Sequence, residues 1–235
     1  MKSRTGGFLV VLGMLLILLA LLTSRALSNS DAWVWIDDFD AVTLKDQWTW
    51  LYENTDYWTL SANPGFLRIT TQEDNVLSKI LLQNEPAGDY SLETHLWFTP
   101  TQNFQIAAIA IWLDSANNLA LGRAYCEEGL GDCIGDGIYF DYVVENVNTH
   151  FLLPMGTQED VFLRVTRDEN SYSGYMSLNG TDWTLLGTHV VNFAPTSIGL
   201  KASNQTLGVN EINADFDYVI LIDDSERIFI PLLVK

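Results

Sequence analysis

From Gly65 to Ile222 the chain alternates apolar and polar residues with a period of two, and Gly, Asn, Asp or Pro closes each run. Strand-like runs are GFLRITTQ (Gly65–Gln72), YSLETHLWF (Tyr90–Phe98), FQIAAIAIWLD (Phe104–Asp114), NLALGRAY (Asn118–Tyr125) and GIYFDYVV (Gly137–Val144). They continue with DVFLRVTRD (Asp160–Asp168), YSGYMSL (Tyr172–Leu178), WTLLGTHVV (Trp183–Val191), TSIGLKAS (Thr196–Ser203) and ADFDYVILI (Ala214–Ile222). β-Branched and aromatic residues in short alternating runs fit pleated, half-buried strands. Beyond the N-terminal segment no stretch keeps an amphipathic helical period for three turns. The pattern predicts an all-β chain, a two-sheet antiparallel jelly-roll sandwich over residues 33–222. Within YMSLNGTDWTLLG, Asn179-Gly180 predicts a hairpin with a type I′ turn, which needs positive φ at both central residues.

The two ends break the pattern. Lys2 and Arg4 precede a run from Gly6 to Leu22 that is apolar or glycine throughout, with the small residues Ala26 and Ser28 beyond it. Residues 1–30 therefore form a signal peptide or, uncleaved, a membrane anchor. Either way the remainder lies outside the cytoplasm, secreted or at the cell surface, and only this N-terminal segment offers contact with a membrane. Residues 223–235 form an acidic, then apolar tail, too short to span a bilayer.

Charge narrows the partners. The chain has 12 basic and 30 acidic residues, a formal net charge of −18. Lys2, Arg4 and Arg25 sit in the leader, so the remainder is more acidic still. Such a surface repels phosphate backbones and excludes nucleic acid, while a neutral glycan meets no penalty. A monomer is expected. Cys126 and Cys133, seven apart, fit a disulfide closing a loop in an oxidising compartment rather than a C-x-x-C redox site.

Taken in order, DDFD…L…WTW (Asp37–Trp50), NPGFLRITT (Asn63–Thr71), Leu81–Trp112, NNLALGRAY (Asn117–Tyr125), GDGIYFDY (Gly135–Tyr142), Val161–Gly187, IGLKAS (Ile198–Ser203) and ADFDYV (Ala214–Val219) carry a family pattern. The chain resembles the concanavalin A-like jelly-roll domains of the β-xylosidase C-terminal group, which includes the regulation-of-enolase-like domain of unknown function. The resemblance implies a sandwich that accompanies glycan-active enzymes or stands alone on exported proteins.

Hydrolases of this broad fold carry paired catalytic carboxylates on one strand as Glu-x-Asp-x-x-Glu, one acid protonating the leaving oxygen and another serving as nucleophile or base. That motif is absent from the sequence, which leans against an enzyme and leaves no catalytic residue to name. A binding groove fits better. Ala108, Ala110 and Trp112 share one strand face, and Ala120, Gly122 and Ala124 share the matching face of the next strand. A small floor with an aromatic wall suits a sugar ring. Its candidate ligand-binding residues are Gln105, Trp112, Arg123, Tyr125, Tyr139, Asp141, Arg164 and Tyr175. The expected function is that of an exported, non-catalytic, lectin-like module. The alternatives are a glycoside hydrolase or lyase of the same fold, or a structural surface domain without a small ligand. No cofactor is expected beyond a structural calcium ion, for which Asp37, Asp38 and Asp40 near the first strand and Asp215 and Asp217 in the last are candidate ligands.

Overall fold

The computed structural model describes residues 33–72 and 79–223. The expected leader at 1–30, and all of the expected tail beyond its first residue, Asp223, lie outside the described residues. Among the described residues every regular element apart from a short 3-10 turn at Thr55–Tyr57 is a strand. In chain order they are β1 (Val34–Asp37), β2 (Thr49–Leu51), β3 (Trp58–Thr59), β4 (Leu67–Thr70), β5 (Lys79–Asn84), β6 (Tyr90–Trp97), β7 (Gln105–Asp114) and β8 (Asn117–Cys126). There follow β9 (Gly135–Val144), β10 (Val147–Pro154), β11 (Asp160–Asp168), β12 (Ser171–Ser177), β13 (Thr184–Val190), β14 (Ser197–Asn204) and β15 (Asn213–Asp223).

The strands form two antiparallel sheets. Sheet A runs β13-β12-β11-β6-β15-β4-β3, with β1 also paired to β15. Sheet B runs β10-β9-β8-β7-β14-β5-β2. Period-two alternation turns one face of each sheet inward. Sheet A contributes Leu92, Leu96, Val161, Leu163, Val165, Phe216 and Leu221 to the core; sheet B contributes Leu81, Ile109, Ile111, Leu119, Leu121, Phe140, Ile198 and Leu200. Most of these side chains are wholly removed from water. Each such Leu, Ile or Phe contributes roughly 1.5–3 kcal/mol of burial free energy.

Three register shifts interrupt the frame among the described residues, one of them between Gly174 and Tyr175 where β12 pairs with β13. In β15 the register with β6 shifts between Phe216 and Val219. The buried series therefore passes from Ala214 and Phe216 to Val219 and Leu221, a change of parity that a bulge permits. In β7 the register with β8 shifts between Trp112 and Asp114.

All ten strands expected from alternation are present. The pattern did not mark β1, β2, β3, β5 or β10: the first three span only two to four residues, β5 is buried at nearly every position and so shows no alternation, and β10 is an edge strand whose residues are mostly exposed. The hairpin expected at Asn179-Gly180 forms between β12 and β13, but its turn type is corrected. Gly180 has φ +71°, but Asn179 is not among the residues with positive φ, so the turn is not type I′. Instead the connection runs from Ser177 to Thr184, and the Asn179 carboxamide oxygen accepts hydrogen bonds from the Thr181 amide (2.9 Å) and the Asp182 amide (2.9 Å). A side chain that satisfies the turn itself removes the need for the left-handed pair. The left-handed pair sits elsewhere, between β9 and β10, where Glu145 (φ 51°) and Asn146 (φ 64°) link the paired residues Val144 and Val147.

Glutamate has no local means of offsetting the cost of the left-handed region, whereas asparagine does. Replacing Glu145 by Asn is expected to raise stability by about 0.5–1 kcal/mol. A urea midpoint that shifts upward with an unchanged slope checks this, and a downward shift contradicts it.

Candidate functional site

The outward face of sheet B is assembled from three aligned rows. One row crosses Lys201 (β14), Ala108 (β7), Gly122 (β8), Tyr139 (β9) and Leu152 (β10). The next crosses Gly199, Ala110, Ala120, Asp141 and His150. The third crosses Ser197, Trp112, Asn118, Val143 and Asn148. The centre of the face is therefore alanine and glycine, three strands wide. Glycine is required there: a Cβ on Gly122 would drive into the Ala107 carbonyl and Ala108, and one on Gly199 into the Leu81 carbonyl. Larger groups stand around this floor and enclose a cleft of about 310 Å³, lined by Tyr52, Ile80, Trp112, Asn118, Ala120, Asp141, Asn148, Lys201 and neighbours.

The polar groups of the cleft differ in how they are held. Asn118 is fixed from below, donating from its side chain to the Asp114 carbonyl (3.1 Å) and the Ser115 carbonyl (3.2 Å). Asp141 accepts from the Asn148 carboxamide at 3.2 Å, and the His150 ring lies 4.0 Å away. Burial pushes the Asp141 carboxyl above the usual carboxylate range, against the Asn148 hydrogen bond and the Lys201 charge, which hold it down. Burial likewise pulls the Lys201 ammonium below the usual lysine range, while the Asp141 charge acts the other way. Trp112 is half-buried at one end of the cleft, beside the β7 irregularity.

Of the eight residues proposed from the sequence, Trp112 and Asp141 line this cleft. Tyr139 belongs to the same face, but its ring packs with Ile106, Ala108 and Cys126, and its hydroxyl is committed to the cysteine loop. It donates to the Gly135 carbonyl (2.9 Å) and accepts from the Ile134 amide (3.2 Å). That loop is closed by the Cys126–Cys133 disulfide, with Cα atoms 5.2 Å apart.

The other five are corrected in place. Arg123 shares the inward parity of Leu119 and Leu121, is 2% exposed, and ion-pairs with Asp136 while donating to the Gln158 carbonyl (2.8 Å). Tyr125 follows Arg123 in parity and so turns away from the cleft. Gln105 is buried as a loop clamp: its carbonyl accepts from the Thr101 amide (2.8 Å) and its amide donates to the Asn210 carbonyl (3.0 Å). Arg164 and Tyr175 are directly paired on sheet A. Arg164 binds Glu93 at 2.6 Å and stacks over Trp183 at 3.8 Å, on the opposite side of the sandwich. What the sequence missed is Lys201, Asn118 and Asn148, whose place follows only from strand register.

The aspartates considered for calcium do not converge. Asp37 accepts from the Trp48 indole (2.7 Å) and pairs with Lys45 (3.6 Å), whereas Asp215 forms a two-pronged pair with Arg68 at 2.6 Å. Asp38 accepts from the Asp40 amide (3.5 Å), and Asp217 faces His95 at 3.5 Å. Among the described residues no three carboxylate, imidazole or thiolate groups gather at one point.

Two face-to-face antiparallel sheets in this order define a concanavalin A-like jelly-roll sandwich. The chain belongs to the family of β-xylosidase C-terminal concanavalin A-like domains, whose model matches residues 36–221. A GH43 protein of Bacillus licheniformis is similar with a TM-score of 0.70 and 23% identity, over 80% of this chain and 39% of that one. A xylan β-1,4-xylosidase of Bacillus halodurans follows with a TM-score of 0.67 and 22% identity, over 79% of this chain and 38% of that one. The β-glucanase of Bacillus licheniformis has a TM-score of 0.57 and 11% identity, over 80% of this chain and 97% of that one. At these identities the likeness is one of fold. The chain thus spans well under half the length of the two GH43 proteins. No curated protein sequence matches it.

Replacing Arg123 by Ala is expected to destabilise the sandwich by about 2–3 kcal/mol, short of a fully buried orphaned charge because Asp136 keeps 27% of its side chain exposed. Chemical denaturation measures this. A change below about 0.5 kcal/mol would place Arg123 in the energetically silent class of surface ion pairs.

Proposed function

We propose that this domain is an exported, non-catalytic carbohydrate-binding module that seats a glycan in the cleft on the outer face of sheet B. The observation that carries the reading is the cleft itself, with Ala120 in its base, Trp112 at one end and Asn118, Asp141 and Asn148 beside it, kept open because the buried residues beneath it are alanine and glycine. An apolar ring face can lie close to such a backbone, an indole stacks on it, and carboxylate and carboxamide groups hydrogen-bond its hydroxyls. Membership of the β-xylosidase C-terminal family supports a carbohydrate context, and the Cys126–Cys133 disulfide supports an oxidising, extracytoplasmic one. The hydrolase alternative is less well supported. Among the described residues lining the cleft Asp141 is the sole carboxylate, and glycoside hydrolysis generally uses two.

The test is calorimetric titration of the full chain with xylo-oligosaccharides and other neutral glycans. Binding by the wild type is expected, with Trp112→Ala weakening it at least tenfold at an unchanged melting temperature, in keeping with about 1.4 kcal/mol per decade. A folded wild type that binds no oligosaccharide, neutral or acidic, would favour a structural surface domain. Turnover of a glycan, lost in Asp141→Asn, would overturn the non-catalytic reading.

A further inference from the structure

In a chain so rich in acid, basic groups find partners readily. Arg68 holds Asp215, Arg123 holds Asp136, Arg164 holds Glu93 and Arg167 holds Glu85. Lys45 pairs with Asp37, and Lys79 donates to the Gln72 carboxamide and lies over the Tyr57 ring. Lys201 is the exception among the described residues. It is 6% exposed, lines the cleft, and has neither a hydrogen-bond nor an ion-pair partner. Asp141, on the far side of the alanine floor, is felt electrostatically but is not in ion-pair contact. The Lys201 stem is buried while the ammonium itself meets the water of the cleft, so its charge is available to a group that enters.

Resting on the carbohydrate-binding reading, we propose that the cleft is built for an acidic sugar, a uronate, whose carboxylate pairs with the Lys201 ammonium while its ring hydroxyls donate to Asp141. A neutral sugar hydroxyl would accept one hydrogen bond from Lys201 yet leave its charge unmatched. A carboxylate supplies both charge and acceptors. The neighbouring Asp141 selects further. It accepts hydrogen bonds from hydroxyl donors and repels a second anionic group, so one ring carrying a single carboxylate and vicinal hydroxyls matches the pair. The overall negative charge opposes any anion at a distance, but that field is screened within about 8 Å at physiological ionic strength, whereas a desolvated contact is screened much less.

The experiment measures, for the full chain, the affinity ratio between a xylo-oligosaccharide bearing one glucuronic acid and the same backbone without it. The wild type is expected to prefer the acidic form at least tenfold. Lys201→Met, close in volume and uncharged, is expected to bring the ratio to about one without lowering the melting temperature, and Lys201→Arg to keep a preference. Equal affinity for the two sugars in the wild type overturns the uronate assignment and leaves the groove reading standing. So does a preference that survives in Lys201→Met. A sulfated oligosaccharide preferred over the uronate, again through Lys201, overturns the carboxylate in favour of a sulfate ester. A wild type that binds neither sugar overturns the groove and the uronate together.

Discussion

The close approach of the central strands of sheet B sets most of what this domain can do. β14, β7 and β8 lie so near their neighbours that Gly199 and Gly122 admit no Cβ. Ala108, Ala110 and Ala120 continue the same low surface, all at 2% exposure or less. A sandwich needs large side chains only on its inward faces, where Ile109, Ile111, Leu121 and Leu200 meet the opposite sheet. Freed from that demand, the outward face loses bulk where the cleft forms and keeps it around the edge. The same alternation therefore specifies both the core and the depression behind it, and any substitution that fills the floor acts on backbone spacing before it acts on a ligand.

Charge is distributed by a matching logic. The two faces carry buried ionic groups of opposite character. On sheet A, Glu93 is 3% exposed but receives two hydrogen bonds from Arg164 and one from the Tyr218 hydroxyl at 2.7 Å. That node is saturated, and burial together with the Glu93 charge drives the Tyr218 hydroxyl far above the usual tyrosine range. His95 is held comparably, between Asp160 at 2.7 Å and the Phe162 ring stacked at 3.7 Å. On sheet B, Lys201 and Asp141 share a cleft without closing on one another. Satisfied networks such as the Glu93 node rigidify a surface, whereas the Lys201 ammonium is left to the water of the cleft.

The fold was largely legible because period-two alternation survives wherever a strand has one dry face. Ten runs announced ten strands, and Asp160–Asp168 was delimited to the residue. Alternation failed at both extremes of burial: β10 lies at an edge with little to bury, β5 is buried along nearly its whole length, and β1, β2 and β3 are too short to show a period. Parity also placed Ala108, Ala110 and Trp112 on one face correctly. It placed Arg123 with Leu119 and Leu121 too, and an arginine on an inward face is legible only once Asp136 and the Gln158 carbonyl are known to meet it. Lys201 shows the opposite failure. In IGLKAS it alternates with Ile198, Leu200 and Ala202, which reads as a solvent-facing lysine. Its burial comes from the shape of sheet B, and that depends on residues in β5, β7, β8 and β9, far from it in sequence.

On the proposed uronate reading, long-range and short-range electrostatics act in opposition, and that opposition would set the discrimination between ligands. A chain of net charge −18 raises the cost of approach for a densely anionic polymer, whose many charges each meet the field. A largely neutral glycan with an occasional carboxylate meets that penalty once, at a distance where salt weakens it. It then recovers a desolvated pairing that no neutral chain can make. Discrimination of this kind needs a repulsive element as well as an attractive one. The acidic surface and Asp141 provide the first, and one buried lysine beside a tryptophan and an alanine floor provides the second.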